Sequence, residues 1–308
     1  MTTISILICT RNRSNDLRNC LHSLKKQTKK PHEVVVVDNG SSDNTKEVCL
    51  SFSKSLPLRY MFEKRIGIPF GRNKGIRHAT GDICAFIDDD CIADPKWIAR
   101  IQKRFSCSPN SVGIVGFSKN LTPDNIPSRV EQLFYERWLS ENIPNITQKS
   151  YLLSGLVMDF KNCSLRRSFI KNYLFSRLAP YGDVGDEDVE MGGRLFKINK
   201  YIYFDPSVIV HHENSKTIFR LLYKNFWLGY SNRILLKAGL DVRKKPIHVR
   251  RFFWFIHVLK EMNEYNDITK KVQFLSLLFL YPVVSNLGRL YASLSLIFSM
   301  QQNIPQRG

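Results

Sequence analysis

The chain has 308 residues, of which 43% are hydrophobic, and its 46 Lys and Arg against 27 Asp and Glu give a formal net charge of +19. This length and apolar content predict a globular protein with one large domain, or a catalytic domain with a smaller appendage, and the charge favours anionic partners such as nucleic acid, nucleotide diphosphates or an anionic membrane. Seven scattered cysteines without a C-x-x-C pair, and an N-terminus that reaches charge too early for a signal peptide, argue against a secreted disulfide scaffold and favour a reducing cytosol.

The first hundred residues alternate between strand-like and helix-like segments. Continuous apolar or β-branched runs predict strands at Ile4–Thr10, Glu33–Asp38 and Asp82–Ile87. A helix-spaced segment that Ser14 can cap follows the first strand, and the Asp-Pro pair at 94–95 predicts the start of another helix. This alternation predicts an α/β protein with a mostly parallel, doubly wound sheet flanked by helices.

Polar side chains follow each of these three strands. They are Thr10 with Arg11, Asp38 with Asn39, and the triplet Asp88, Asp89 and Asp90. Doubly wound sheets bind ligands at the carboxyl ends of their strands, so these groups line one crevice if the strands are neighbours. A carboxylate triplet in so basic a chain suits a divalent cation such as Mg²⁺ or Mn²⁺. An acidic turn or helix cap is the alternative interpretation.

A second acidic cluster follows the less regular stretch between Ser106 and Tyr181. Its five carboxylates lie within eight residues and are Asp183, Asp186, Glu187, Asp188 and Glu190. Helical spacing from Glu187 onward places Asp188 in a first turn, where the helix dipole favours an ionised carboxylate. An acid-rich helix start without a catalytic role has the same pattern.

The segment Tyr201–Asn214 predicts two further short strands, which end at His211 and His212. A histidine pair is usually structural or solvated, but at a strand end it can also supply a metal ligand.

The last third of the chain is basic and apolar. From Lys216 to Gly308 it contains fifteen Lys and Arg against four Asp and Glu. Its two apolar stretches are interrupted by Pro282 and Arg289, and neither reaches the roughly 20 residues that a membrane-spanning helix needs. Basic residues beside Trp, Phe and Leu predict helices that lie in a membrane interface, whereas packing on the catalytic domain or on a second subunit is the alternative.

Seven motifs occur in the order and approximate spacing of the family 2 glycosyltransferases. They are SILICTRNR, VVVVDNGSSDNT, GRNKGI, FIDDDC, NCSLRRS, GDEDVEMGGRL and PSVIVHH. From Thr3 to His212 the chain therefore resembles that family, and within it the bacterial enzymes that build surface polysaccharides and glycolipids. The resemblance implies the GT-A fold, a nucleotide-sugar donor (most often a UDP-sugar), a divalent metal (Mn²⁺ or Mg²⁺), inversion at the anomeric carbon, and a glycan or lipid-linked acceptor.

The resemblance also implies roles for residues on the donor side. These residues are Thr10, Arg11, Asp38, Arg72, Asn73, Asp88 and Asp89. Asp38 matches the aspartate that contacts the nucleotide base, with Thr10 and Arg11 beside it. Arg72 suits a diphosphate because its planar guanidinium donates two parallel hydrogen bonds. Asp88 and Asp90 match the outer positions of the D-x-D motif.

For the chemical step, the resemblance implies that Asp188 is the general base, with Glu187 or Asp186 as substitutes. The metal ligands that it implies are Asp90, Asp88 and one of His211 and His212, between which spacing does not decide. The motif NCSLRRS would border the acceptor through Asn162, Arg166 and Arg167.

These readings divide the chain into a catalytic region at 1–214, with donor binding at 1–105 and the acceptor side at 106–214, and a C-terminal helical region at 215–308. We expect a cytoplasmic protein, peripheral at the inner face of the membrane. A nucleotidyltransferase is an alternative, but the segment after the first strand lacks the glycines that usually grip a triphosphate. An inactive nucleotide-sugar binder is a further alternative. A nucleic-acid binder would explain the charge but not the acidic clusters, which repel phosphates.

Overall fold

The structure is a computed structural model that describes residues 2–143, 151–154, 158–175, 187–198, 201–237 and 258–302. Its strands are β1 (Ile4–Thr10), β2 (Glu33–Asp38), β3 (Leu58–Phe62), β4 (Ile83–Ile87), β5 (Cys91–Ala93), β6 (Gly113–Asn120), β7 (Tyr151–Ser154), β8 (Asn162–Arg166) and β9 (Tyr201–His212). Its principal helices are α1 (Ser14–Lys25), α2 (Thr45–Phe52), α3 (Ile68–His78), α4 (Trp97–Cys107), α5 (Ile126–Asn142), α6 (Arg167–Ile170), α7 (Glu187–Lys197), α8 (Ile218–Lys237) and α9 (Ile268–Gln302). A further short helical segment covers 258–263.

The described strands form one sheet, in the order β3-β2-β1-β4-β8-β6-β9-β5, with β7 also paired to β9. Strands β3, β2, β1 and β4 are mutually parallel, and β6 is parallel to β9. Strand β8 runs antiparallel to both of its neighbours, β4 and β6. Strands β5 and β7 run antiparallel to β9 at the other edge, so six of the nine described strands share one direction and the mostly parallel sheet that the sequence predicts is confirmed.

Hydrophobic side chains cover both faces of the sheet. On one face, alternate residues of β1 and β2 pack against Leu17, Leu21 and Leu24 of α1. On the other face, Leu7 and Val35 belong to a second cluster with residues of α3, α5 and α7. All six residues of β2 are buried, as a strand covered on both faces requires.

Three local predictions differ from the structure. Ser14 is the first residue of α1 and not its cap, because its backbone N–H donates to the Asp43 carboxylate across 3.0 Å. Helix α4 begins at Trp97, after a turn in which Asp94 accepts the backbone N–H of Lys96. The segment predicted as two short strands is one strand, β9, with a register irregularity around Asp205 that lets it follow β6.

The C-terminal helix contradicts the prediction that Pro282 and Arg289 interrupt it. Helix α9 is continuous over 35 residues, about 52 Å at 1.5 Å per residue, with Pro282 inside it. Both residues lie on its exposed side, where neither disturbs a packed surface. By length and composition alone, Ile268–Ser295 could cross a membrane, and 17% of its most apolar window is buried.

Helices α8 and α9 pack closely against each other and contact α5, which follows strand β6 of the sheet. A Cβ on Gly229 would overlap the Ser285 carbonyl, so the two helix backbones approach directly at this point. Val130 and Leu133 of α5 share a hydrophobic cluster with Phe274 and Leu277 of α9. One side of α9 is therefore covered by protein.

Glu33 provides a test of what holds the amino-terminal edge of the sheet. Its carboxylate accepts hydrogen bonds from Ser5 Oγ (2.7 Å), the Thr80 backbone N–H (2.6 Å) and Arg59 Nη1 (2.8 Å). Although burial raises the pKa of Glu33, these donors lower it to about 2. We expect Glu33→Gln to reduce the free energy of unfolding at neutral pH by about 1–3 kcal/mol, measured by urea denaturation.

The contribution of Glu33 to the free energy of unfolding should depend on pH, in a direction that the pKa shift determines. Because folding lowers the pKa of Glu33, its stabilisation is present above the ordinary glutamate pKa and is lost as the pH falls towards about 2. The difference between wild type and Glu33→Gln should therefore shrink on acidification. Glu47→Gln, on the exposed side of α2, is the matched control and should change stability little. A constant difference across this pH range would contradict the assignment.

Candidate active site

The three strand ends that carry polar side chains are neighbours, as the sequence analysis requires. Thr10 and Asp38 are paired in register at the ends of β1 and β2. Leu7 of β1 pairs with Phe86 of β4, so the triplet that begins at Asp88 follows immediately on the other side of β1. Parallel pairing therefore brings the three polar ends to one edge of the sheet.

The Asp89 side chain points into the protein interior, where neighbouring side chains hold it. It is buried, and its carboxylate accepts hydrogen bonds from Thr10 Oγ1 (2.7 Å) and Arg13 Nη1 (3.1 Å). Burial raises the pKa of Asp89, and Arg13 opposes this shift. Its oxygens join Thr10 to Arg13 in the interior, so the structure gives Asp89 a role in positioning these two side chains, and donor contact by Asp89 stays a prediction.

Asp90 faces a histidine. Its Oδ2 accepts a hydrogen bond from Arg13 Nη1 at 2.8 Å, and its Oδ1 lies 3.5 Å from His212 Nε2. That Oδ1 is buried and has no hydrogen-bond partner among the described residues. Burial raises the pKa of Asp90, but His212 and Arg13 outweigh it and hold that pKa below its usual range. Pairing of Cys91 with His212 between β5 and β9 places the histidine beside the triplet.

The adjacent histidine has a different environment. His211 pairs with Ile92, and because successive side chains of a strand alternate, it lies on the opposite face of β9 from His212. Burial and the nearby Lys119 lower the pKa of His211, and Asp94 opposes them. The structure therefore brings His212 to Asp90 and does not bring His211, so of the two histidines that the sequence left open it favours His212 as the possible ligand.

Arg72 connects the two acidic clusters. The side chain is only 7% exposed, and its guanidinium lies over the rings of Phe160 (5.1 Å) and Phe175 (5.4 Å). Its Nη2 donates to Asp88 Oδ1 at 3.3 Å. Its Nη1 donates to Glu187 and, at 3.1 Å, to Asp188 Oδ1. Residues far apart in sequence are thus assembled around one buried cation.

The two candidate bases differ in how open they are. The Asp188 side chain is 22% exposed, whereas that of Glu187 is 4% exposed and paired with Arg72. The second oxygen of Asp188 accepts the Phe160 backbone N–H at 3.1 Å. Burial raises the pKa of Asp188 to about 8, Arg72 opposes the rise and Glu187 adds to it. Asp188 is therefore the more accessible carboxylate, and Asp186 lies outside the described residues.

Three other residues predicted on the donor side differ in environment. Asp38 is buried, and its oxygens accept the Ser41 backbone N–H and the Tyr60 hydroxyl, both at 2.8 Å. Arg11 is exposed at the end of β1. Asn73 exchanges two hydrogen bonds with the backbone of Phe175, at 2.9 and 2.8 Å. The Asn73 amide therefore fixes Phe175, whose ring contacts Arg72, and a direct contact of Asn73 with the donor stays a prediction.

The three residues predicted on the acceptor side make contacts within the protein. Asn162 is 1% exposed, accepts the indole N–H of Trp97 at 2.9 Å and donates to backbone carbonyls in the core. Arg166 donates to the Ser111 and Pro109 carbonyls, and Arg167 donates to the Gly81 carbonyl. Because β8 is antiparallel to β4, Arg166 pairs with Ile83, at the amino-terminal edge of the sheet. The two arginines lie at the opposite edge from the crevice.

Within the part of the chain that the structure describes, no group of three His, Cys, Asp or Glu side chains is arranged to hold a metal ion. The donor set of Asp90 Oδ1 and His212 Nε2 nevertheless fits a divalent cation, since an unpartnered buried carboxylate oxygen faces a ring nitrogen across 3.5 Å. A cation with only two protein ligands needs the rest from elsewhere, and substrate phosphates supply them in many nucleotide enzymes.

Sequence reasoning missed two residues that organise the site. Arg13 lies 3.1 Å from Asp89 and 2.8 Å from Asp90, and a cation at this distance offsets the cost of burying two adjacent carboxylates. The signal was its place three residues beyond the first strand. Lys161 lies 2.8 Å from Asp159 and precedes the recognised motif at Asn162, and no local pattern distinguishes it.

Residues 5–174 match the family described as Glycosyl transferase family 2. A glucosyl-dolichyl phosphate glucuronosyltransferase of Haloferax volcanii is 25% identical over 321 residues, which cover 95% of this chain and 96% of that protein. Glycosyltransferase AglE of the same organism is 35% identical over 232 residues, 73% of this chain and 71% of its own length.

Among solved structures, the mannosyltransferase PcManGT of Pyrobaculum calidifontis, in complex with GDP-Man and Mn²⁺, superposes with a TM-score of 0.61 at 14% identity, over 98% of this chain and 88% of that chain. Residues 1–349 of S. aureus TarS, in complex with UDP-GlcNAc, superpose with a TM-score of 0.55 at 14% identity. The superposition covers 92% of this chain and 81% of the TarS chain. Likeness at these identities shows the fold.

Proposed function

The chain belongs to glycosyl transferase family 2 and is a glycosyltransferase with the GT-A fold that the sequence predicts; from this premise we propose that it is an inverting enzyme. It transfers a sugar from a nucleotide-diphosphate donor, in the first instance a UDP-sugar, to a hydroxyl of a lipid-linked glycan by direct displacement. The observation that carries the proposal is that Arg72 joins Asp88 to Asp188, while Asp90 of the same triplet faces His212.

The donor side is built around Asp90 and His212, which would hold Mn²⁺ or Mg²⁺. When bound, such a cation neutralises the charge that develops on the departing diphosphate. Arg13 occupies only Oδ2 of Asp90, so Oδ1 is left for the metal. Asp88, whose side chain is 37% exposed, is open to the donor ribose or to a metal-bound water.

The acceptor hydroxyl would be deprotonated by Asp188 as it attacks the anomeric carbon. Direct displacement needs one base and a stabilised leaving group, and no protein nucleophile. A carboxylate with a pKa of about 8 is a better proton acceptor than one near 4, because the optimum lies near the working pH. Its partial exposure leaves one side for the acceptor.

The C-terminal region would place the enzyme at a membrane that contains its acceptor. In the described residues, fifteen of the twenty exposed large apolar side chains lie between Ile218 and Leu294. Because the other side of α9 packs on α5 and α8, we propose that α9 lies in the interface and does not cross the bilayer. The division at residue 214 then separates catalysis from docking, and the basic charge favours an anionic, cytoplasmic leaflet.

A lipid-linked acceptor is also supported by one relative, since the Haloferax volcanii enzyme that spans almost all of this chain is named for a dolichyl phosphate glycolipid. Because that relative is only 25% identical, we do not infer that this protein uses the sugars in the relative's name.

Membrane docking can be tested on the exposed side of α9. Phe279 is 72% exposed and Leu290 is 56% exposed. We expect the double change Phe279→Asp with Leu290→Asp to lower co-sedimentation with anionic phospholipid vesicles at least about tenfold, because burying each apolar side chain is worth about 1.5–3 kcal/mol. The matched control carries Leu50→Asp and Leu121→Asp, which are exposed on the catalytic part. Wild-type binding by the α9 variant would refute the docking surface.

The proposed donor class is tested by thermal unfolding with UDP-, dTDP- and GDP-sugars, each with Mn²⁺ or with EDTA. A ligand that binds the native state raises the unfolding temperature by mass action, so no acceptor is needed. We expect a Mn²⁺-dependent rise with one nucleotide, followed by release of that nucleoside diphosphate on turnover. No rise with any of the donors would overturn the nucleotide-sugar proposal.

A further inference from the structure

His212 has a second contact, on the side of its ring away from Asp90. Its Nδ1 lies 2.7 Å from Asn214 Oδ1, and both side chains are buried. Either ring nitrogen of a neutral histidine, Nδ1 or Nε2, can hold the proton, since the ring has two neutral tautomers. Which tautomer is present decides whether Nε2 offers a lone pair or an N–H to Asp90.

The orientation of the Asn214 amide is fixed by a backbone carbonyl. Asn214 Nδ2 donates to the Ser128 carbonyl at 3.2 Å and to Gln132 Oε1 at 3.3 Å. A carbonyl oxygen only accepts, so the amide nitrogen must face Ser128 and the amide oxygen must face His212. Gln132 is oriented in the same way, because its Nε2 donates to the Ser118 carbonyl at 3.2 Å.

The fixed orientation of the Asn214 amide determines which nitrogen of a neutral His212 ring carries the proton. Since Asn214 presents an oxygen, His212 Nδ1 carries the proton, and the neutral tautomer with the proton on Nε2 is excluded. When His212 is neutral, its Nε2 lone pair therefore faces the unpartnered Oδ1 of Asp90 across 3.5 Å. A divalent cation that binds between these two atoms takes the place of the proton that a charged His212 carries on Nε2.

We propose that Asn214 is a positioning residue that sets the tautomer and ring orientation of His212, and thereby the affinity of the Asp90–His212 pair for a divalent cation. The inference rests on the metal site of the proposed function. Helix α5 supplies the fixed acceptors through Ser128 and Gln132, so the orientation of the ligand is determined by an element outside the metal site. Partners of this kind commonly change metal affinity by about 10–100-fold.

The first test measures Mn²⁺ alone, by the electron paramagnetic resonance signal of free Mn²⁺ in titrations of the full chain. Asn214→Leu removes the acceptor and should weaken Mn²⁺ binding about 10–100-fold. Asn214→Asp keeps an oxygen towards Nδ1 but loses the donor to Ser128, so it should destabilise the fold and yet bind Mn²⁺ within about threefold of wild type. If Asn214 had only a structural role, Asn214→Asp would bind Mn²⁺ more weakly than Asn214→Leu.

Asn225→Leu is the matched control, since Asn225 is equally buried but lies on α8 and contacts the Tyr281 carbonyl. It should lower stability and leave Mn²⁺ affinity unchanged. Equal Mn²⁺ affinity for wild type and Asn214→Leu, in a protein where His212→Asn abolishes binding, overturns the role of Asn214 alone. Mn²⁺ binding that is indifferent to both His212→Asn and Asp90→Asn overturns the metal site and this inference with it.

The second test needs no metal. In ¹⁵N-histidine-labelled protein at alkaline pH, with the His212 signals assigned from His212→Asn, we expect the wild-type ring to carry its proton on Nδ1 and Asn214→Leu to shift protons towards Nε2. An unchanged tautomer in Asn214→Leu contradicts the proposal even if Mn²⁺ affinity falls.

Discussion

Asp188→Asn is expected to lower kcat by about 10²–10⁴-fold and to leave donor affinity nearly unchanged, because the amide cannot accept the proton of the acceptor hydroxyl. The substitution keeps the size of the side chain, but its single amide oxygen can accept from Arg72 or from the Phe160 N–H and not from both, as the two carboxylate oxygens of Asp188 do. Initial rates at saturating donor, together with donor-induced thermal shifts, separate the two effects. Normal turnover would transfer the role of base to Glu187 or Asp186.

The pH dependence of the wild-type enzyme provides a second readout of the same residue. With a pKa raised to about 8, Asp188 is mostly protonated at neutral pH, and only its ionised form acts as a base. The rate should therefore rise with pH up to about 8 and then level off. Asp188→Asn should lose this rise, and a similar pH profile in the variant would exclude Asp188 as its source.

Stability should change in the opposite direction from activity. Because folding raises the pKa of Asp188, the protonated form is the one that the native state favours, and stability is lost as the pH rises through about 8. The uncharged Asp188→Asn protein should therefore be at least as resistant to urea as wild type above this pH. Loss of activity without loss of stability distinguishes a catalytic carboxylate from a structural one.

Asp90→Asn should have the second largest effect, since it removes the ionised oxygen that faces His212. We expect the Mn²⁺-dependent part of donor binding to disappear and kcat/KM to fall at least about 10²-fold, because metal stabilisation of a leaving group is worth several kcal/mol. The measurement compares donor-induced thermal shifts and rates in Mn²⁺ and in EDTA.

The chain offers a matched control in two adjacent histidines. His212→Asn should reproduce the loss of Mn²⁺-dependent binding seen with Asp90→Asn, whereas His211→Asn, on the other face of β9, should bind as wild type. If both histidine variants bind alike, or if Asp90→Asn retains full metal dependence, the assigned metal ligands are wrong.

The amino-acid sequence by itself determined the strands that build the crevice and most of its chemistry. Continuous burial of β1, β2 and β4 is a local property of each segment, and the residue after a strand is carried to its end whatever surrounds it. The pattern therefore placed Thr10, Asp38 and the triplet at strand ends, and the order of the motifs predicted the family. That these strand ends are neighbours was decided by the pairing of β1 with β2 and β4.

Only the tertiary structure decided where side chains distant in sequence meet. The position of Arg166 and Arg167 at the opposite edge from the crevice was not predicted, because the direction of β8 depends on its pairing with β4 and β6, which no local pattern encodes. The inward turn of Asp89 depends on Arg13, and the choice of His212 over His211 depends on the pairing of β9 with β5.

The C-terminal helix α9 is a second case in which the local sequence did not predict the structure. Pro282 and Arg289 predicted an interruption, because proline removes a backbone donor and a charge opposes burial. In the structure both lie on the exposed side of α9, while Phe274, Gly288 and Ala292 are buried. The sequence set the composition of this helix, but its continuity was decided by which side packs on α5 and α8, since packing energy depends on partners that the local sequence does not contain.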